Sequence, residues 1–338
     1  MFWIFVAVVA HAGNALVFVV DKSLLGGKSR VSDPLRYTFY SAVLAGAAAV
    51  LLAFDYAPLT MFVISWSALA AIFYMVALWF FFTALKKGEP SRVVPVAGSA
   101  VPVFTLVLAV MFLGEALNAR DLWAVLLLMA GGVLLSIRWG EVKGLATGVL
   151  AGAVVSGLFF AGYYAVMKYI YANTESFLPV FAYSRIVQAV LAVMLVGPIL
   201  LTQSHQQDPS RFPRRPQRDR RGRKRLARPR RGGDTVPARR FKPLEGFAGA
   251  SGLVVPVVFV ANKALAAVAF ILLNYAISLG SVTVVNALQG TQYVFLLLLA
   301  ATVSVRWPKL FREELSRVAV WQKVGGIVLV SLGVALLV

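Results

Sequence analysis

Two basic residues lie deep inside long apolar stretches of the chain, where an ionised side chain needs a partner or a cavity. Lys263 stands near the middle of one stretch, and Arg185 stands well inside another. A charge at the centre of a bilayer costs about 2.5–3.5 kcal/mol on insertion scales. At about 3.6 residues per turn, Asn274 falls on the helix face of Lys263 and Gln188 on that of Arg185. We therefore predict that these side chains line a water-reachable cavity.

A second set of polar residues shows the same helical spacing. Asn286, Gln289 and Tyr293 are three and four residues apart, so two amides and a phenol share one helix face. His11 and Asn14 are three residues apart in the first apolar stretch, and an imidazole can exchange a proton near neutral pH. Both groups are predicted to belong to the substrate cavity.

Each candidate also has a structural interpretation. Lys263 reaches the cytoplasmic interface by snorkelling if its helix begins later than residue 250. Arg185 could equally bond a broken stretch of backbone. Amides often join neighbouring helices through hydrogen bonds of about 0.6 kcal/mol, and a lone intramembrane histidine such as His11 is commonly a packing residue. The sequence leaves both interpretations open.

The acidic residues near the apolar stretches all lie at their ends; they are Asp21, Asp55, Glu115, Asp121 and Glu175. A proton-coupled exporter of cations needs a carboxylate inside the membrane, both to bind the cation and to accept the proton. With Lys263 and Arg185 as the deep charges, the cavity is predicted to be net positive. This charge favours an anionic or zwitterionic substrate with a carboxylate or a phosphate.

The elements that would position these residues are membrane-spanning helices. Of the 338 residues, 60% are hydrophobic and 14% are charged, against about 45–50% and 25% in soluble domains, which excludes a soluble enzyme. Continuous apolar runs favour helices over a β-barrel, whose strands alternate in polarity. The predicted spans are residues 2–20, 34–54, 60–85, 92–113, 121–137, 144–170, 177–202, 250–277, 282–304 and 319–338.

Nothing in the sequence predicts catalysis or a bound cofactor. The chain has no cysteine, which excludes disulfides, thiolate metal ligands and cysteine nucleophiles. It also shows no paired carboxylates, no Ser/His/Asp grouping, no metal-ligand spacing and no phosphate-binding glycine loop. We therefore predict no catalytic residue, no metal site and no cofactor.

The chain repeats itself. Residues 84–104 align with residues 276–296, and Gly88, Val93 and Gly98 then meet Gly280, Val285 and Gly290. Each half holds five spans, an odd number, so the halves must lie upside down relative to each other. We predict an all-α polytopic membrane protein, with ten transmembrane helices as two inverted five-helix repeats at 1–140 and 141–338. Inverted repeats are typical of secondary transporters with a midplane site.

The chain also resembles an EamA-type member of the drug/metabolite transporter superfamily. The motifs are a Gly-x-x-Ser turn before the fourth span, Pro102 within that span and Leu113-Gly114-Glu115 at its end; Ser278-Leu279-Gly280-Ser281 and Glu313-Glu314-Leu315 are looser counterparts. The resemblance covers nearly all of the chain except 203–248. It implies ten helices in two repeats and transport of a small metabolite, without fixing the substrate.

The basic segment 203–248 carries most of the net charge of +19. It is rich in Pro, Arg and Gly, which predicts a disordered loop. Anionic lipid headgroups are a candidate partner, whereas nucleic acid is disfavoured because aromatic residues for stacking are scarce. An alternative function is therefore a membrane scaffold or lipid-handling protein that acts through this loop.

Basic residues concentrate in the loops after the odd-numbered spans, even without segment 203–248. The positive-inside rule then predicts a multi-pass protein of the cytoplasmic membrane, with segment 203–248 in the cytoplasm and both termini outside. Members of the resembled family generally have cytoplasmic termini, so charge and resemblance disagree here. The sequence leaves the oligomeric state open.

Overall fold

The computed structural model describes residues 2–25, 32–87, 90–136, 147–206, 254–306 and 317–337. These residues are almost entirely helical, and no strand occurs among them. Nearly all of segment 203–248 lies outside the described residues, and so do the predictions made for it.

The first half of the chain contributes five helical segments. They are α1 (Phe2–Leu25), α2 (Pro34–Ala45) with a 3-10 continuation over Gly46–Ala53, α3 (Met61–Lys87), α4 (Pro90–Phe112) and α5 (Ala119–Ser136). Asp33 caps α2, since its carboxylate accepts a hydrogen bond from the backbone N–H of Arg36 at 3.0 Å. Gly114, at a φ of 62°, follows α4 in a left-handed conformation that suits glycine.

The second half contributes the remaining helices. They are α6 (Thr147–Ala172), α7 (Phe177–Leu191), α8 (Gly197–Gln206), α9 (Val254–Leu279), α10 (Val282–Ala287), α11 (Gln289–Arg306) and α12 (Arg317–Leu337). A π-helical turn over Ala192–Val196 joins α7 to α8. Each predicted span therefore coincides with one helix or with consecutive helical pieces.

Six stretches of the described helices are long and apolar enough to cross a membrane. They are Phe2–Asp21, Pro34–Ala53, Met61–Lys87, Thr147–Ala172, Phe177–Thr202 and Val254–Leu279. Shorter apolar helices cover Val96–Phe112 and Trp321–Leu337. The all-helical architecture is thus confirmed, whereas the ten-span inverted repeat and the orientation of the termini stay predictions.

The strongest packing joins helices of different halves. α3 packs along α6, α1 along α9 and α5 along α12, while the 3-10 segment packs against α7. The last contact is close because Gly46 has no side chain: a Cβ there would lie 2.9 Å from the Cβ of Ala189. This interdigitation surrounds a space to which both halves contribute.

Candidate functional site

A cavity of about 490 Å³ lies between the two halves, within the usual size range of small-molecule sites. α1 to α4 line it from the first half, and α6, α7 and α9 to α11 line it from the second. Its wall is mainly apolar and includes several aromatic rings, among them Phe81, Phe160 and Tyr164. A few polar side chains interrupt this wall.

The structure brings most of the predicted site residues to this cavity. Seven of the nine line it: His11, Asn14, Arg185, Gln188, Lys263, Asn286 and Gln289. Asn274 and Tyr293 are buried beside the cavity and are not part of its lining. Their placement is observed, while their role in binding stays a prediction.

Lys263 forms an ion pair with Asp21. Its Nζ lies 2.9 Å from Oδ1 of Asp21, and Asp21 is only 3% exposed. Asp21 belongs to α1 and also lines the cavity. Asp21 was not among the residues predicted to line the cavity. It lies near the end of α1 in sequence, but packing against α2 and α9 buries it.

Two further donors converge on the same carboxylate oxygen. The hydroxyl of Tyr37 donates to Oδ1 of Asp21, and the amide of Asn262 donates to it at 2.6 Å. The ammonium of Lys263 also lies 4.5 Å from the ring centre of Tyr37. α1, α2 and α9 are thus tied together at this end of the cavity by a locally neutralised charge cluster.

Arg185 has a different environment. Its guanidinium carbon lies 4.9–5.5 Å from four ring centres, a distance at which cation–π attraction is significant; the rings belong to Tyr74, Tyr163, Phe181 and Phe270. Nη2 donates to the hydroxyl of Tyr163 at 2.8 Å, and Nε to Oγ of Ser184 at 3.4 Å. No described carboxylate forms an ion pair with Arg185, so its charge is solvated by rings and hydroxyls but not neutralised.

Asn274 lies outside the cavity lining and bonds the tyrosine that contacts Arg185. Its Oδ1 accepts hydrogen bonds from the hydroxyls of Tyr163 at 2.9 Å and Tyr171 at 3.3 Å, and its Nδ2 donates to the backbone oxygen of Phe270 at 2.9 Å. Asn274 is fully buried. It therefore fixes Tyr163, which in turn holds Arg185, and its own side chain stays off the cavity wall.

Gln188 lies one turn beyond Arg185 on α7 and is also fully buried. Neither its Oε1 nor its Nε2 has a hydrogen-bond partner among the described residues. An unpaired buried amide costs about 1–3 kcal/mol, so natural proteins seldom keep one without a use. Gln188 and Arg185 together present an amide and a cation to the cavity.

His11 and Tyr293 make helix-to-helix contacts, whereas Asn286 forms a hydrogen bond within α10. His11 Nε2 donates to the backbone oxygen of Val285 at 3.0 Å, joining α1 to α10. The amide of Asn286 donates to the backbone oxygen of Val282 at 3.0 Å. The hydroxyl of Tyr293 donates to the backbone oxygen of Val94 at 3.4 Å. Tyr293 also fills the space left by Gly98. Proton exchange by His11 stays a prediction.

Sequence reasoning missed Asp21 and the aromatic surroundings of both cations. Asp21 was detectable, because His11, Asn14, Phe18 and Asp21 follow one another at spacings of three, four and three, one continuous helix face. The rings around Arg185 come from α3, α6, α7 and α9. Helical spacing cannot relate residues on different helices.

The Leu113-Gly114-Glu115 motif also has a structural role. After the turn at Gly114, the carboxylate of Glu115 accepts a hydrogen bond from the hydroxyl of Thr283 at 3.0 Å. Thr283 belongs to α10, so this motif connects the end of α4 to the second half of the chain.

Comparisons with known proteins agree with this architecture. The model of the EamA-like transporter family matches residues 1–137. A solved structure described only as "Crystal structure of protein" has a TM-score of 0.59 and 17% identity, covering 99% of this chain and 94% of its own length. At that identity the likeness shows a shared fold alone. No curated protein matches the chain.

Long apolar helices around a cavity with a few polar residues are typical of a multi-pass integral membrane protein. Residues 1–137 match the EamA-like transporter family, which is part of the drug/metabolite transporter superfamily. The resemblance read from the sequence is confirmed for residues 1–137. The family is one of membrane transporters that act on small molecules.

Proposed function

We propose that this chain is a secondary transporter that moves a small anionic or zwitterionic metabolite across the cytoplasmic membrane by alternating access. The observation that carries the proposal is Arg185, a buried cation without a carboxylate partner among the described residues, next to the unpaired amide of Gln188. Both line a cavity of metabolite size.

The charge balance of the cavity supports an anionic group on the substrate. The charged residues in its lining are Asp21, Lys263 and Arg185. Since Asp21 and Lys263 neutralise each other, one positive charge is left, on Arg185. In a low-dielectric site, a carboxylate or phosphate would compensate that charge through charge-assisted hydrogen bonds. The amide of Gln188 could bond a second polar group of the same solute.

The packing supports alternating access. In an inverted repeat, α3 of the first half corresponds to α9 of the second, and α6 corresponds to α1. The close pairs α3–α6 and α1–α9 are then equivalent contacts. Rocking of two such halves about a shared cavity is the usual mechanism of transporters built this way.

The test is transport by the purified protein in vesicles, with a panel of radiolabelled amino acids, nucleotides and sugar phosphates. We expect flux of an anionic or zwitterionic member, and we expect Arg185→Gln to lower it more than about tenfold, or 1.4 kcal/mol in transition-state stabilisation. Arg185→Lys, which keeps the charge, should retain part of the flux.

Arg120→Gln is the matched control, because Arg120 is exposed at the start of α5 and lies outside the cavity lining. Its flux should equal that of the unmodified protein. Equal flux in Arg185→Gln and Arg120→Gln, or preferred transport of cations, would overturn the assignment.

A further inference from the structure

The cavity lining reaches the protein surface at a group of apolar residues. Among the residues that line it, six are exposed at the protein surface: Leu44, Ala47, Val50, Val260, Ala264 and Ala267. The first three belong to the second span and the other three to α9. The exposed fraction reaches 62% for Val50 and 51% for Val260. We call these six residues the side opening.

The side opening lies at the level of the membrane. All six residues fall inside Pro34–Ala53 and Val254–Leu279, two of the stretches suited to cross a bilayer. Ala267 is at the centre of α9, far from either end. Exposed apolar side chains at that depth face lipid chains and not water.

Packing explains why the gap occurs at this place. α9 touches α2 at only a few positions, whereas α3 packs closely along α7. In the proposed inverted repeat the pair α2–α9 is equivalent to the pair α3–α7. A gap therefore separates α2 from α9, whereas the equivalent helices α3 and α7 are closely packed. The small side chains of Ala47, Ala264 and Ala267 leave the open gap unobstructed.

One cation of the cavity has no counter-charge. Asp21 and Lys263 bind each other, so Arg185, with the unpaired amide of Gln188 beside it, is left to receive a charged head. Aromatic and aliphatic side chains cover most of the wall between that head and the side opening. The apolar part of the wall suits an alkyl chain.

We propose that the side opening is a lateral portal to the bilayer and that the substrate is an amphiphilic anion, a carboxylate or phosphate head with one alkyl chain. The head binds at Arg185 and Gln188, and the chain passes between the second span and α9 into the lipid. This inference rests on the proposed transport function and specifies the class of its substrate.

The experiment compares two probes in reconstituted vesicles, ethyl phosphate and dodecyl phosphate, against protein-free vesicles. The unmodified protein should move both. Ala264→Trp places a bulky ring in the portal, and we expect it to lower dodecyl phosphate flux about tenfold relative to ethyl phosphate flux, a discrimination that apolar pockets reach by shape. Ala47→Trp should act in the same direction from the other side of the gap.

Val268→Trp is the matched control. Val268 also lies on α9 and is 57% exposed, but it does not line the cavity. The same bulky residue there should leave the ratio of the two fluxes unchanged. This control separates blockage of the portal from a general effect of tryptophan on α9.

A second measurement does not depend on transport. The chain has no cysteine, so Ala264→Cys and Val268→Cys each introduce a unique thiol. In bilayers, dodecyl phosphate should slow the reaction of the thiol at 264 with a lipid-soluble maleimide, and ethyl phosphate should not. The thiol at 268 should react at the same rate with or without either probe.

The outcomes distinguish the two proposals. Flux of ethyl phosphate without flux of dodecyl phosphate, or equal loss of both in Ala264→Trp, would overturn the portal and leave the transporter standing. Absence of protection at 264 by dodecyl phosphate would also overturn the portal. Failure to move either alkyl phosphate or any member of the anion panel would overturn the proposed function, and the portal with it.

Discussion

Lys263 and Arg185 line the same cavity, yet their surroundings differ completely. Lys263 meets a carboxylate that three donors share, so its charge is compensated within the protein. Arg185 meets four aromatic rings and two hydroxyls, which hold the guanidinium without cancelling its charge. A buried cation with an internal counter-charge ties helices together. One without a counter-charge is available to a ligand.

This comparison reverses the order of importance that the sequence suggested. Lys263 is the deeper charge along its helix, but it is paired with Asp21. Arg185 then carries the net positive charge of the lining. Of the two cations in the lining one is neutralised, so the predicted positive charge of the cavity depends on Arg185 alone.

The largest expected effect comes from breaking the ion pair. Lys263→Met leaves the carboxylate of Asp21 buried without its counter-charge, which should lower the free energy of unfolding in detergent micelles by about 3–5 kcal/mol. The double variant Asp21→Asn/Lys263→Met should recover most of that loss, because the asparagine oxygen can still accept from Tyr37 and Asn262. A double variant as unstable as Lys263→Met would show that the pair is not the cause.

An intermediate effect on stability is expected at Asn274, which bonds the tyrosine that contacts Arg185. Asn274→Leu removes the acceptor of two buried hydroxyls and should cost about 2–3 kcal/mol of unfolding free energy. It should also lower anion flux, because Tyr163 loses the contact that orients it toward Arg185. Asn173→Leu is the control, since Asn173 is exposed, and its change should stay within about 0.5 kcal/mol. Unchanged stability in Asn274→Leu would contradict the proposed support.

The smallest stability effect should occur at Gln188, which sharpens the contrast between structural and ligand-binding amides. Because neither amide atom has a partner, Gln188→Met should keep or raise the unfolding free energy by up to about 1 kcal/mol. Anion flux should nevertheless fall. Asn286→Leu should instead lose about 1 kcal/mol, since Asn286 donates to Val282. Equal destabilisation of both variants would argue that Gln188 is only structural.

Helix positions were predictable because they depend on local sequence. Apolar runs long enough to span a bilayer are visible without any tertiary information, and each predicted span coincides with helix in the described parts of the chain. The helix face of His11 and Asn14 was equally visible and extends to Asp21. Spacing along single helices therefore identified seven residues of the cavity lining.

The sequence by itself determined that the chain belongs in a lipid bilayer, where its helices lie and which side chains are too polar to face lipid. Only the tertiary structure decided that Lys263 finds Asp21, that Arg185 finds four rings, and that the cavity opens between the second span and α9. The physical reason is that these contacts join helices from distant parts of the chain. Their distances depend on how the helices pack, which no single helix encodes.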